Sequence, residues 1–196
     1  MSDRGEELLK VRREKLQRLK SSGIDPYPTQ YDRSHTNREA ADLFTDGNIN
    51  SRSEVSVAGR ISSMRVMGKV AFLDLVDGSG RLQIQFKKDV LGEEFMILKN
   101  LDLGDFLGVS GPLFQTKTEE ITVEARNVTL LAKSLKPPPE KWHGLRDIEQ
   151  RYRHREADLI ANEEVRRRFV LRSQIVDGIR RYLNAKNFVE VETPIL

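Results

Sequence analysis

Between Arg65 and Phe86 the chain reads RVMGKVAFLDLVDGSGRLQIQF, and no other stretch constrains the fold as strongly. Two runs of period-two alternation flank Asp77, Gly78, Ser79 and Gly80, the pattern of an antiparallel hairpin. In VAFLDLVD, Ala71, Leu73 and Leu75 form an all-apolar set, whereas Val70, Phe72, Asp74 and Val76 include a carboxylate, so the first set belongs in a core. In RLQIQF, Leu82, Ile84 and Phe86 face in, and Gln83 and Gln85 face out. The turn glycines are expected to supply positive backbone dihedrals rather than to cradle a phosphate. Phe72 is then a large ring on an outer face, beside amide side chains.

Such a ring has two readings. Either it packs beneath a helix or loop, or it stacks on a nucleobase, a contact worth about 1–3 kcal/mol per base. A neighbouring amide can both donate to and accept from a base edge. Arg65 and Lys69, at the mouth of the hairpin, are placed to neutralise phosphates.

The alternation extends on both sides. VSVAGRI precedes the hairpin; LGVSGPLFQT and EITVEARNVTLLA follow it. Between the third and fourth strands, Val90, Glu93, Glu94, Ile97 and Leu98 read as a short helix. Five strands with a helix in that place is the order of an OB-fold barrel, whose second and third strands commonly form an oligonucleotide face. Another small antiparallel barrel or meander has the same strand count.

Helical patterns flank the strands. RGEELLKVRREKLQRLK, residues 4–20, places Leu8, Val11 or Arg12, Leu16 and Leu19 on one side, with Lys and Arg over most of the rest, and Gly23 and DPYP end it. This basic helix either docks on its own domain or lends its face to a nucleic acid. PPP at 137–139 is a stiff spacer. EEVRRRFVLRSQIVDGIRRYLNAKNF then reads as one long helix, with Val165, Phe169, Ile175, Ile179 and Leu183 in phase and Gly178 in its interior. VEVETPIL follows as an extended apolar segment. A complete domain would cover such a strand, so the chain is expected to be cut from a longer protein.

Composition excludes several chemistries. Without cysteine there are no disulfides, thiolate metal sites or cysteine nucleophile. His35, His143 and His154 have no metal-ligand spacing. No apolar run is long enough to span a membrane and the N-terminus is charged, so a cytoplasmic address is expected. The net charge is only +3, but it is unevenly spread. Residues 51–135 carry 11 basic and 11 acidic side chains, residues 151–186 carry 10 and 5. The run Arg166, Arg167, Arg168 is either a solvated helix face or a set of phosphate contacts.

The stretches VAGRISSMRVMGKVAFLDLVDGSGRLQI, LGVSGPLFQTKT, LLAKSLKPPPEKWHGLRDIEQRYRHREADLI and VRRRFVLRSQIVDGIRRYLNAKNFVEVETPIL together resemble the N-terminal part of the bacterial-type lysyl-tRNA synthetases of class II. The likeness runs nearly end to end, from RREKLQRLKSSGIDPYP onward, and HGLRD, RYRHR and EVETP in combination are specific to this subgroup. The aspartyl and asparaginyl enzymes share the architecture; the KSLKPPPEKWHGL junction is nearer the lysyl pattern.

The resemblance implies a mainly β chain with flanking helices. Residues 1–50 would be an N-terminal helix and extended lead-in, 51–135 a five-stranded OB-fold anticodon-binding barrel, 136–160 a linker, and 161–196 the truncated start of a class II α/β catalytic domain, its motif 1 helix and strand. Phe72 matches the aromatic that stacks on the middle base of a U-rich anticodon, Gln83 the glutamine that reads the base edge, and Arg65 an anticodon-contacting arginine. Glu120 matches a glutamate at the turn between the fourth and fifth strands, and Pro194 the motif 1 proline of the homodimer interface. The implied partner is the tRNA(Lys) anticodon loop. ATP and Mg2+ would serve the complete ligase, with neither bound by this chain, which stops short of motifs 2 and 3. It is therefore expected to bind tRNA without charging it. A free-standing RNA-binding paralogue without catalysis, a fragment of an aspartyl- or asparaginyl-type synthetase, and a general single-strand binder are the rival readings.

Three residues depart from the family pattern. Glu119, in TKTEE, stands where glycine is usual and is expected to weaken binding through its charge. Asn187 replaces the glycine before Phe188; asparagine tolerates left-handed backbone better than most residues. Glu156 stands where tyrosine is common.

Overall fold

Ala71, Leu73, Leu75, Leu82, Ile84 and Phe86, the inward sets of the hairpin, are all buried at the centre of one hydrophobic core. This packing is seen in a computed structural model of the protein, which describes residues 3–45, 53–138 and 147–195. Residues 139–145 of the KSLKPPPEKWHGL junction, His143 among them, the Arg146 that follows it, and the expected boundary at 50/51 lie outside the described residues. The chain divides into two compact units, 1–137 and 138–196.

In the first unit the hairpin is β2 (Val70–Val76) and β3 (Arg81–Lys87), preceded by β1 (Glu54–Met67) and followed by β4 (Phe106–Gln115), β5 (Ile121–Glu124) and β6 (Asn127–Ala132). The ladder β1-β2-β3-β5-β4 returns to β1, which closes a ring of five strands. The expected fifth strand is broken in two. Both β5 and β6 pair antiparallel with β4, and β5 also pairs parallel with β3. The break falls where the backbone of Glu124 crosses Gly111 so closely that no Cβ fits there.

β1 serves two neighbours because it contains a bulge. Its first half pairs with β4 from Glu54 to Arg60, its second half with β2, and the register skips Ser62 between Ile61 and Ser63. One unpaired residue inverts the in-out alternation beyond it. Val57 and Ile61 are buried before the bulge, and Met64 packs on the core after it. Arg65, which unbroken alternation would aim inward, is exposed on the outside.

The short helix after β3, α3, is α-helical only over Lys88–Leu91 and continues as a 3-10 helix over Gly92–Asn100. Gly92 has φ 57°, which a regular helix does not accommodate. Leu91, Phe95 and Leu98 are its buried residues, while Val90 is exposed.

The N-terminal helix, α1 (Asp3–Ser21), docks on its own unit. It ends at Gly23, φ 76°, with Ile24 N–H bonded to Leu19 O and Gly23 N–H to Lys20 O, the two hydrogen bonds of a Schellman cap. Its buried stripe contains Arg12 and Leu19, whereas Leu8 and Val11 are exposed. The helix therefore docks through polar as well as apolar groups. The Arg12 guanidinium donates to the carbonyls of Ser134 (2.8 Å), Leu103 (3.0 Å) and Lys136 (3.3 Å), and Lys15 Nζ pairs with Asp102 at 2.6 Å. Burial pushes the Asp102 pKa up, but hydrogen bonds and charges from Lys133 and Lys15 outweigh it and hold the carboxyl below its ordinary value.

The lead-in wraps the ring. The hydroxyl end of the Tyr31 ring packs against Gly108, where a Cβ would come within 2.3 Å of it. Thr36 and Glu39 form a reciprocal capping box at the start of α2 (Asn37–Thr45). The turn of the hairpin departs from expectation, since positive φ is found at Gly68, between β1 and β2, but at neither Gly78 nor Gly80. Asp77 sets that turn instead: its Oδ1 accepts from Ser79 N–H at 2.7 Å and Gly80 N–H at 2.9 Å, and its Oδ2 from Asn37 N–H at 3.0 Å. Burial raises the Asp77 pKa, and these hydrogen bonds more than reverse the rise.

The second unit holds α4 (Ile148–Arg153), α5 (Arg155–Ala161) and α6 (Glu163–Ala185). Asp158, buried, accepts from Arg151 (2.9 Å), Arg155 (2.6 Å) and Asn162 (2.5 Å). Burial pushes its pKa up, and these donors bring it below the ordinary carboxylate value. Glu156 is exposed. α6 keeps only Val165 buried and leaves Phe169, Ile175, Ile179 and Leu183 exposed. Asn187, φ 63°, ends it in a second Schellman cap, with Phe188 N–H on Leu183 O and Asn187 N–H on Asn184 O. Phe188–Ile195 belong to no β-ladder, because a single extended segment has no strand beside it to pair with. Pro194 is exposed within that segment.

Candidate nucleic-acid interface

Two rows of side chains run across the outer face of the ring. Register places Arg65 opposite Phe72, Phe72 opposite Gln85, and Gln85 opposite Glu124. The next row is Ser63, Asp74, Gln83, Thr122 and Phe114. Phe72 is half-buried and stands outside the core cluster. The phase of β2 forces this, because Ala71 and Leu73 on either side of it are buried.

The second row is a connected polar network. Ser63 Oγ donates to Asp74, and Arg81 bridges Asp74 (3.1 Å) and Glu120. Gln83 Nε2 donates to Glu120 at 2.9 Å, while its Oε1 accepts from Thr122 Oγ1, also at 2.9 Å. Gln83 is thus only 5% exposed, not the solvated amide that alternation suggests. It points outward, as expected, but its neighbours cover it. Partial burial pushes the Arg81 pKa down, and the charges of Asp74 and Glu120 more than restore it, so the guanidinium stays positive.

The structure therefore joins Gln83 to Glu120 and sets Arg65 beside Phe72. Arg65 and Lys69 are exposed and have no ion pair among the described residues. Pro194 belongs to the other unit. Sequence reasoning missed Arg81, Thr122 and Ser63. Asp74 alone left a signal, as the one charge in an otherwise apolar strand. Lys87 lies on the same side of the ring, paired with Glu124 at 2.5 Å and 5.9 Å from the centre of the Phe114 ring.

Residues 55–131 match the OB-fold nucleic acid binding domain family, and residues 147–196 match the class II tRNA synthetases of the D, K and N type. A lysine–tRNA ligase of Dehalococcoides mccartyi is 50% identical over 187 residues, covering 93% of this chain and 38% of the relative. That of Enterococcus faecalis is 46% identical over 201 residues, covering 100% of this chain and 40% of the relative. Along nearly its whole length the chain is similar to lysine–tRNA ligases. It spans about two fifths of the length of these relatives.

The family resemblance expects glycine at two positions, and at both this chain has a side chain on a left-handed backbone. Glu119 has φ 61° and Asn187 φ 63°, and among the described residues no other non-glycine residue has positive φ. At Glu119 the conformation is fixed by its hairpin turn: Glu119 N–H bonds to Thr116 O, and Gln115 Nε2 to Glu119 O at 3.1 Å. A residue with a Cβ is strained there by about 1–2 kcal/mol. Glu119→Gly is expected to stabilise the first unit by about 0.5–1 kcal/mol, because greater freedom of glycine in the unfolded chain offsets part of the relief. Glu119→Ala, which keeps the Cβ, should bring no such gain. Urea midpoints of the two variants check this, and equal gains would mean that the charge, not the backbone, carries the cost.

Proposed function

We propose that this chain is the tRNA-reading part of a lysine–tRNA ligase, and that the outer face of the ring holds a base of the tRNA(Lys) anticodon loop. The observation that carries this reading is a phenylalanine ring held outside the core, between an unpaired arginine and a row of amides. Phe72 stacks on the base, since every base has a π-face. Arg65, with Lys69 at the same hairpin end, neutralises the backbone phosphate. Gln83 and Glu120 are locked to each other, to Thr122 and to Arg81, so they offer a wall of fixed polarity along the base edge at little cost in ordering. Glu119, on the adjoining turn, opposes phosphate approach with its charge.

The larger activity belongs to the same proposal. The complete ligase attaches lysine to tRNA with ATP and Mg2+, which residues outside this chain hold, and it works in the cytoplasm as a homodimer with Pro194 at the subunit contact. The 196-residue chain binds tRNA and does not charge it.

A competition titration tests the reading. The chain is bound to a fluorescent stem-loop with a UUU anticodon and challenged with unlabelled loops of other sequence. U-rich loops should compete about tenfold better than the rest, a difference of about 1.4 kcal/mol. Equal competition by all loops would make the chain a general single-strand binder. The balanced charge of residues 51–135, 11 basic against 11 acidic, already counts against that.

A further inference from the structure

Of the two outward amides on β3, Gln83 is spoken for and Gln85 is not. Gln83 Oε1 accepts from Thr122 and its Nε2 donates to Glu120. Gln85 lies directly opposite Phe72, yet its Oε1 is buried without a hydrogen-bond partner. Among the described residues the other two atoms in that condition belong to Asn37 and Asn100, at the first residue of α2 and the last of the 3-10 helix. A buried carbonyl oxygen left unpaired is costly, and protein interiors rarely leave one so. Glu124, across from Gln85 on β5, is engaged by Lys87 and makes no hydrogen bond to the Gln85 oxygen.

We infer that Gln85 is a second base-reading group, whose Oε1 accepts the ring N–H of the base stacked on Phe72. This rests on the proposed function and adds a selection rule to it. Uracil and guanine carry a proton on the ring nitrogen of the pairing edge, whereas cytosine and adenine carry a lone pair there. An acceptor beside the stacking ring favours the first pair and repels the second. Gln83, whose oxygen is already occupied, is less able to make that distinction.

The experiment is a cycle between one side chain and one proton. Stem-loops with uridine, 3-methyluridine or cytidine at the middle anticodon position are titrated against the wild-type chain, Gln85→Leu and Gln85→Met. The wild type should bind the uridine loop about tenfold more tightly than either of the others, the size expected for one hydrogen bond to a buried acceptor. In both variants that ratio should fall to within about twofold, with a melting temperature unchanged or raised because the orphaned oxygen is gone. Steric exclusion of the methyl group would persist in the variants, so it cannot imitate this result. If a folded variant keeps the wild-type ratio, Gln85 does not read the base while the proposed function stands. If the wild type binds none of the loops, both fall.

Discussion

Lys133→Ala is expected to destabilise the first unit by about 3–5 kcal/mol, the usual cost of removing one partner from a buried ion pair. The Lys133 side chain is 0% exposed, and its ammonium lies 2.6 Å from Asp102 Oδ2 and 2.7 Å from Asp105 Oδ2. Asp105, equally buried, would keep only the backbone N–H groups of Asp102 and Ser134, both at 2.8 Å. Two hydrogen bonds do not replace a neutralising charge at a fully buried carboxylate. The loss would spread to α1, since Lys15 shares Asp102 and Arg12 grips the carbonyl next to Lys133, that of Ser134. Denaturant unfolding followed by circular dichroism measures the effect. Replacing Lys133 and Asp105 together by Met and Leu should cost less than the lysine change alone, because no charge is stranded. A Lys133→Ala penalty under about 1 kcal/mol would show that water reaches the pair.

Phe72→Ala is expected to weaken binding of the anticodon loop by about 1–3 kcal/mol, the measured range for one base stacked on an aromatic ring. Its effect on folding should be slight, within about 0.5 kcal/mol, because the ring lies outside the core cluster. Anisotropy titration and a melting curve on the same preparation separate the two quantities. A large loss of stability with unchanged affinity would return Phe72 to the ordinary role of a packed side chain. Phe72→Trp, which keeps a π-face, should retain most of the affinity.

Much of this interface can be read along the chain, because alternation in β2 and β3 is a local property. Ala71, Leu73 and Leu75 leave Phe72 only the outer face, and the same logic sends Gln83 and Gln85 outward. The reading fails where a side chain's surroundings come from elsewhere. Gln83 is covered by Glu120 and Thr122, 37 and 39 residues further on, through the parallel pairing of β3 with β5. Arg12 is buried because backbone carbonyls more than 90 residues away meet it at the docking surface of α1. A helical wheel that scores arginine as solvent-facing cannot anticipate that.

The sequence by itself determined the phases of β2 and β3 and the helix ends. Gly23 and Asn187 stop their helices because the left-handed residue after a helix suits a glycine or an asparagine. The family resemblance marked Glu119 as out of place, and the positive φ there gives that departure a cost in backbone strain as well as in charge. Only the tertiary structure decided which side Arg65 takes. By alternation from Val57 and Ile61 it would point into the core. The bulge at Ser62 turns it out beside Phe72, because β1 must bend to pair with β4 over its first half and β2 over its second, and closing the ring requires the extra residue.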